Sequence, residues 1–298
     1  MTGDTLKAWA QASRLPFFVA TFIPLIIGWS MAVKTTGAVR PGRFLLVLLG
    51  SLIVHLITNL ANDYFDHLVG TDAGESIGGS RVIQEGKISP RVMLKVIIGL
   101  YAIAFFIAYI IVFHFRLHLL AIPILFSAFS SYFYVAPPIR YGYHGLGELF
   151  VGINMGPIMV AGTYWVVAGT PALEPLLVSI PVGIMVASIL YYQSLPDMRT
   201  DEASGKMTLA VRLGRKGAFR GLIIFCILIY ASILSLILMG LLSPWALASI
   251  ISVLLVVKLM RIVLRTDNWV LLDLHGKYVR MVYFISGLSI IAGIVLRD

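Results

Sequence analysis

Long apolar runs separated by short polar stretches dominate the chain, and the runs have the length of membrane spans. A spanning helix needs about 20 mostly apolar residues. Runs of that kind lie near 15–33, 43–62, 92–113, 117–135, 147–168, 175–195, 219–242, 244–264 and 277–296. The third and fourth are parted only by "HFRLH", and the seventh and eighth only by Ser243-Pro244, so each pair reads as a tight hairpin. Composition agrees: 59% of the 298 residues are hydrophobic and 12% are charged, against roughly 25% charged in soluble domains. The expected fold is all-α, a polytopic membrane bundle of nine transmembrane helices forming a single domain over 1–298.

The net charge of +9 would fit a nucleic-acid partner only if the basic residues lay on a soluble surface. They sit between apolar runs instead, where the positive-inside bias accounts for them. With the N-terminus inside, five of the 23 Lys and Arg residues fall outside (Lys34, Arg40, Arg43, Arg116 and Arg297), leaving 18 on the cytoplasmic side. This predicts a multi-pass protein of the cell (plasma) membrane with a cytoplasmic N-terminus and an external C-terminus. The opening "MTGDTLKAWAQASR" is polar for too long to be a signal peptide. The single Cys226 lies among Ile and Leu, which leaves no disulfide framework and reads as packing.

Polar chemistry enters at two places on the predicted cytoplasmic side. His55, Asn59, Asn62 and Asp66 are spaced by four, three and four and so share one helical face, with Asp63 beside it. A polar stripe inside a span is costly unless it lines a cavity or meets a partner. Asp72 follows in the loop, and then Arg81 and Lys87. The sixth run exits through "YYQSLPDMRTDEASGK", which sets Asp197 and Asp201 one turn apart, followed by Lys206. Clustered carboxylates are hard ligands for Mg²⁺, which binds one or two of them together with substrate phosphates and water. Two clusters facing each other would bridge a diphosphate, and Arg and Lys would take its remaining oxygens. A diphosphate at the interface with a tail in the bilayer fits a polyprenyl diphosphate. A cation-coupled secondary transporter is the competing reading, but transporters place ionisable groups near mid-membrane, and here the acids crowd one interface.

"NDYFD" with "GTD", and "DMRTDEASGKMTLAVRLG" after the sixth run, resemble the two motifs of the UbiA superfamily of intramembrane aromatic prenyltransferases. "GGSRVIQEGKIS", "YGYHGLGELFVG" and "GPIMVAGTYWVVAG" resemble its 1,4-dihydroxy-2-naphthoate polyprenyltransferase branch, which serves menaquinone synthesis. The likeness runs from about residue 10 to 216. It implies Mg²⁺-dependent transfer of a polyprenyl group from its diphosphate to an aromatic acceptor, 1,4-dihydroxy-2-naphthoate in this branch and 4-hydroxybenzoate in another. Carried over by position, Asn62 and Asp66 match the first metal motif and Asp63 fills its second place. Asp72 stands where a further acid is expected, and either Asp63 or Asp72 is its third acid. Asp197 and Asp201 match the second motif, with Lys206 suited to a phosphate contact. "YVAPPIRYG" puts Tyr134 and Arg140 near the substrates. Arg81 and Lys87 are read as diphosphate ligands. Arg14 is either a further one or a membrane anchor, and Asn154 either meets the acceptor or joins helices. Gln193 and Ser194 stand where naphthoate enzymes often carry two Asn residues. His55 is expected to orient Asn59, and Tyr164, Trp165 and Trp245 to form an aromatic belt.

Overall fold

The computed structural model describes residues 3–70 and 79–297; Asp72 lies outside them. Among the described residues, besides short 3-10 helices at Tyr141–His144 and Trp269–His275, eleven helical stretches follow in order: α1 (Gly3–Ser13), α2 (Leu15–Thr36), α3 (Pro41–Val69), α4 (Pro90–His114), α5 (His118–Phe133), α6 (Gly147–Ala168), α7 (Leu173–Ser194), α8 (Met198–Ala203), α9 (Leu209–Leu238), α10 (Pro244–Arg265) and α11 (Lys277–Val295). Among the described residues there is no β-strand. Eight helices of the described residues are long and apolar enough to cross a membrane, and α5 is apolar but shorter. The fourth predicted span therefore exists as a helix, but trimmed at both ends. Proline at 137 and 138 closes it off below, because residues preceding proline are pushed out of the α region.

Hydrogen bonds from basic side chains to backbone carbonyls fix which helix ends lie together. Lys34 at the end of α2 donates to the Arg297 carbonyl after α11, and Arg297 Nη1 donates to the Leu241 carbonyl after α9. Arg40 and Arg43, flanking the start of α3, donate to the Val166 and Val167 carbonyls near the end of α6. The aspartate-bearing ends of α3 and α7 gather at the opposite end of the bundle. The chain is thus a multi-pass membrane protein whose two acidic clusters meet at one end.

The outer surface is apolar where a soluble protein would be charged. Phe106, Leu119, Ile122 and Leu254 are all more than 60% exposed, a surface that suits lipid. Inside, helices approach closely through small residues. A Cβ added to Gly156 of α6 would sit 2.7 Å from the Gly183 Cα of α7, and one on Gly28 of α2 would sit 2.4 Å from the Val160 carbonyl oxygen. Three fully buried tyrosines each hand their hydroxyl to a carbonyl: Tyr191 to Ala218, Tyr192 to Leu272 and Tyr283 to Ala20. Satisfying the O–H is the condition for burying tyrosine.

Three boundaries differ from the sequence reading, each for a local reason. Helix α3 runs past residue 62 to Val69, so the first aspartates sit on helix, and Gly70 ends it at φ 82° with its N–H on the Asp66 carbonyl. Helix α9 begins at Leu209, where the Thr208 side chain caps the Val211 N–H, and is bent at Gly214, whose φ is 63°. The polar N-terminal segment is a helix that buries Ala8 and Ala12 against Ile57, Leu60 and Ala61 of α3. Tyr164 is buried, with its hydroxyl accepting from Thr35, and so leaves the expected aromatic belt; Trp245 is exposed as expected.

Candidate functional site

A cavity of about 760 Å³ runs through the bundle between α3, α4, α5, α6 and α7. Its walls change character along its length. At one end lie Asn62, Asp66, Asp197, Asp201 and Lys206, and at the other Val47, Ile107, Ile111, Leu120 and Val166. The stripe His55, Asn59, Asn62 and Asp66 faces it, as the helical spacing predicts.

At the polar end, Asp66 is 1% exposed and accepts the Tyr143 hydroxyl at 2.5 Å. The Lys206 ammonium stands 3.6 Å from Asp66 and 3.7 Å from Asp201, so carboxylates from α3 and α8 flank one cation. The loop that carries Lys206 is held by backbone: Met207 N–H donates to the Tyr143 carbonyl, and Lys206 N–H to that of Asp201. Burial pushes the Asp201 carboxyl up to about 7, with Asp197 and Asp66 adding to the rise and Lys206 opposing it. Burial alone would lower Lys206, but the Asp66 and Asp201 charges outweigh it and hold the ammonium above its ordinary value. Carboxylates so crowded in an apolar setting call for more positive charge than one lysine supplies.

The donor set fits Mg²⁺. It is all hard oxygen: Asp66 with Asn62 from α3, and Asp197 with Asp201 around α8, opening on one cavity. Among the described residues no three acidic, His or Cys side chains close round a single point. That is no obstacle, because Mg²⁺ keeps waters and substrate phosphates in its shell and rarely sits in an all-protein cage.

Asp63 behaves differently from Asp66. It is buried and does not line the cavity. Its Oδ1 accepts from Arg14 at 2.5 Å and from the Ser80 N–H at 3.0 Å, and its Oδ2 from the Ser80 hydroxyl. Arg14, which sits in the left-handed region at φ 50° between α1 and α2, is thereby committed to Asp63, although it also borders the cavity. This cluster ties the first turn of the bundle to the segment after α3.

The other expected residues divide in the same way. Tyr134, Asn154, Gln193 and Ser194 line the cavity; Arg81, Lys87 and Arg140 do not. Lys87 is exposed and pairs with Glu85 at 2.6 Å and Gln11 at 2.8 Å. Arg140 lies 5.8 Å from the centre of the Tyr143 ring. Asn154 opens a wide i+5 turn inside α6 that includes Pro157, and its Nδ2 donates to Ser130 of α5 and to the Phe150 carbonyl. It therefore both joins helices and borders the cavity. Ser194 donates to its own helix at Tyr191. His55 does not bond Asn59: its Nδ1 meets the Thr21 hydroxyl at 2.6 Å, while Asn59 donates to the Ser13 carbonyl. Tyr134, whose hydroxyl burial pushes up to about 12, is wedged between two glycines. A Cβ on Gly142 or Gly147 would lie 2.9 or 3.2 Å from its ring.

Three site features escape the sequence reading. Tyr143 carries the hydroxyl on Asp66. Two neighbouring hydrogen-bonded sets, Tyr101 and Thr58 on Ser131 and Tyr141 on Ser130, form a polar patch on the cavity wall. Glu148, 6% exposed, also lines the cavity; as a lone acid inside an apolar run it was visible as an intramembrane ionisable residue.

The comparisons agree with this geometry. Residues 21–269 match the UbiA prenyltransferase family. The chain is 30% identical over 244 residues to a Bacillus subtilis protein named 1,4-dihydroxy-2-naphthoate octaprenyltransferase, covering 82% of this chain and 78% of that one. It is 31% identical over 217 residues to a Synechocystis 2-carboxy-1,4-naphthoquinone phytyltransferase, covering 71% and 68%. Its fold superposes on that of a UbiA homolog from Archaeoglobus fulgidus solved with GPP and Mg²⁺, with a TM-score of 0.70 at 17% identity, over 97% of this chain and 99% of the other. The chain belongs to the UbiA prenyltransferase family and is an enzyme that transfers prenyl groups.

Proposed function

We propose that the enzyme transfers a polyprenyl group from its diphosphate to 1,4-dihydroxy-2-naphthoate, with Mg²⁺, on the route to a menaquinone. The observation that carries the reading is the graded cavity. Its carboxylate end suits a metal-held diphosphate and its apolar end suits a prenyl tail, while both lie inside a membrane bundle. The names of the Bacillus and Synechocystis relatives support a carboxylated naphthalene acceptor, and the Archaeoglobus title supports a prenyl diphosphate with Mg²⁺.

Asn62, Asp66, Asp197 and Asp201 would hold the metal, which neutralises charge on the departing diphosphate when bound. Lys206 contacts the same diphosphate, and Tyr143 fixes the Asp66 carboxylate in place. Arg81, Lys87 and Arg140, outside the cavity wall, reach the diphosphate only if their segments shift on binding. The apolar wall keeps water from the allylic cation. Tyr134, Gln193, Ser194 and Asn154 surround the place where an aromatic ring meets that cation, and Gln193 and Ser194 offer both donors and acceptors to it. The 18-to-5 division of basic residues supports a carboxylate end on the cytoplasmic side of the cell membrane.

The test is transfer itself: purified protein, a labelled prenyl diphosphate and the naphthoate, with and without Mg²⁺. Prenylated naphthalene that forms only with the metal supports the proposal. Turnover in chelator, or donor hydrolysis with no product on the ring, rejects it.

A further inference from the structure

Glu148 has no role in the diphosphate site, yet its position is an expensive one. It lies in the first turn of α6, is 6% exposed and borders the cavity. Among the described residues no cation and no other residue's donor meets its carboxylate; only its own backbone N–H is in reach. A buried carboxylate without partners is costly, and the α6 N-terminus offsets only part of that cost. A ligand group is therefore the natural partner. That ligand cannot be the diphosphate, which the carboxylate would repel. A hydroxyl donor on the other substrate suits it.

The surroundings say which donor. Gly147, the preceding residue, packs against the Tyr134 ring. The Tyr134 hydroxyl feels the charges of Lys206, Glu148, Asp66 and Asp201 together. Tyr134 is thus the side chain shared by the carboxylate end and Glu148, which puts Glu148 on the stretch of wall where an acceptor ring would meet the prenyl carbon.

We propose that Glu148 is the acceptor-side base: its carboxylate accepts the hydrogen bond of the acceptor's aryl hydroxyl, takes that proton during transfer, and returns it afterwards. This rests on the reading above, in which the acceptor is a hydroxylated, carboxylated ring. The hydroxyl O–H bond breaks, its proton passing to Glu148, and the oxygen pair becomes a ring carbonyl. The displaced ring pair forms the bond from the carboxylate-bearing carbon to the prenyl carbon, while the carbon–oxygen bond to diphosphate breaks and its pair leaves with the diphosphate. The ring–carboxylate bond then breaks, CO₂ departs, and its pair restores the aromatic ring as the carbonyl oxygen retakes the proton from Glu148. No net proton is released, because CO₂ leaves in the place of a ring hydrogen. A buried base with no route to solvent is sufficient for that sequence.

The experiment compares Glu148→Gln, Glu148→Asp and Glu148→Ala with the intact enzyme, on whichever aryl alcohol the intact enzyme prenylates, so that a wrong choice of acceptor and a wrong role for Glu148 are distinguishable. Glu148→Gln keeps the shape and a hydrogen-bond acceptor but is no base. It should lower kcat by about 100-fold with KM for the acceptor changed by less than threefold. Glu148→Ala should in addition raise that KM, and Glu148→Asp should recover part of kcat. Binding of a non-reactive thiolo-diphosphate analogue of the donor should be unchanged in Glu148→Gln, which reports a folded site. A Glu148→Gln enzyme with undiminished kcat overturns the proposal. So does one that loses donor binding and acceptor turnover together, since that would mark Glu148 as a structural residue.

Discussion

Asp66 opens onto the cavity and accepts the Tyr143 hydroxyl, while Asp63, three residues earlier on the same helix, turns its carboxylate to Arg14 and Ser80. One motif therefore supplies both a cavity-facing acid and an acid that holds the bundle together, and the two should fail differently.

Asp63→Ala leaves Arg14 without its partner and two Ser80 donors unmet. Breaking a buried pair by removing one member costs on the order of 3 kcal/mol. Melting temperature and activity should fall together, and Arg14→Ala should reproduce much of the loss, with the double variant less than additive. Asp66→Asn should leave the melting temperature within a few degrees and remove turnover. Thermal denaturation beside a transfer assay separates the two; Asp63→Ala with wild-type stability would show that the pair carries nothing.

Metal dependence should follow the same division. Chelation should abolish transfer and added Mg²⁺ restore it, and Asp66→Asn and Asp197→Asn should each cut turnover by at least 100-fold. Titrating Mg²⁺ against activity checks this, and an unchanged Mg²⁺ requirement in both variants would move the metal elsewhere.

Tail length should be set at the apolar end. Gly162 lines the cavity, and a Cβ there would meet nothing within 4 Å. Gly162→Leu should fold and should reduce kcat/KM for long prenyl diphosphates about tenfold relative to a ten-carbon donor, since pocket methylenes are worth about 1–3 kcal/mol in discrimination. An unaltered length profile would mean that the tail leaves the cavity before reaching Gly162.

Sidedness is checked with single cysteines in a Cys226→Ser background. Glu85→Cys and Glu202→Cys should react with an impermeant thiol reagent only from the cytoplasmic side and Ala172→Cys only from outside. Labelling of the first two from opposite faces would separate the clusters that the cavity unites.

How much of this was legible in the sequence follows the physics of each feature. Spans announce themselves because backbone polar groups in lipid must be satisfied within apolar helices, so every predicted run is a helix, α5 being merely shorter. The face shared by Asn62 and Asp66 follows from helical spacing. What spacing cannot carry is which way a loop docks. Asp63 is captured by Ser80, 17 positions away, and Lys87 pairs with Glu85 rather than entering the cavity. Tyr143 reaches Asp66 only because the turn at 141–144 is pinned to Met207. Glu148 and His55 could be seen as intramembrane polar residues, but their neighbours belong to helices distant in sequence.

The fate of the acceptor's carboxylate tests the central claim most directly. The enzyme, Mg²⁺ and a polyprenyl diphosphate are given 1,4-dihydroxy-2-naphthoate labelled at the carboxyl carbon, with 4-hydroxybenzoate in competition. One labelled CO₂ should be released for each diphosphate, the product should be a prenylated dihydroxynaphthalene, and the naphthoate should be preferred. A product that keeps the labelled carboxylate, or a preference for 4-hydroxybenzoate, would contradict the account.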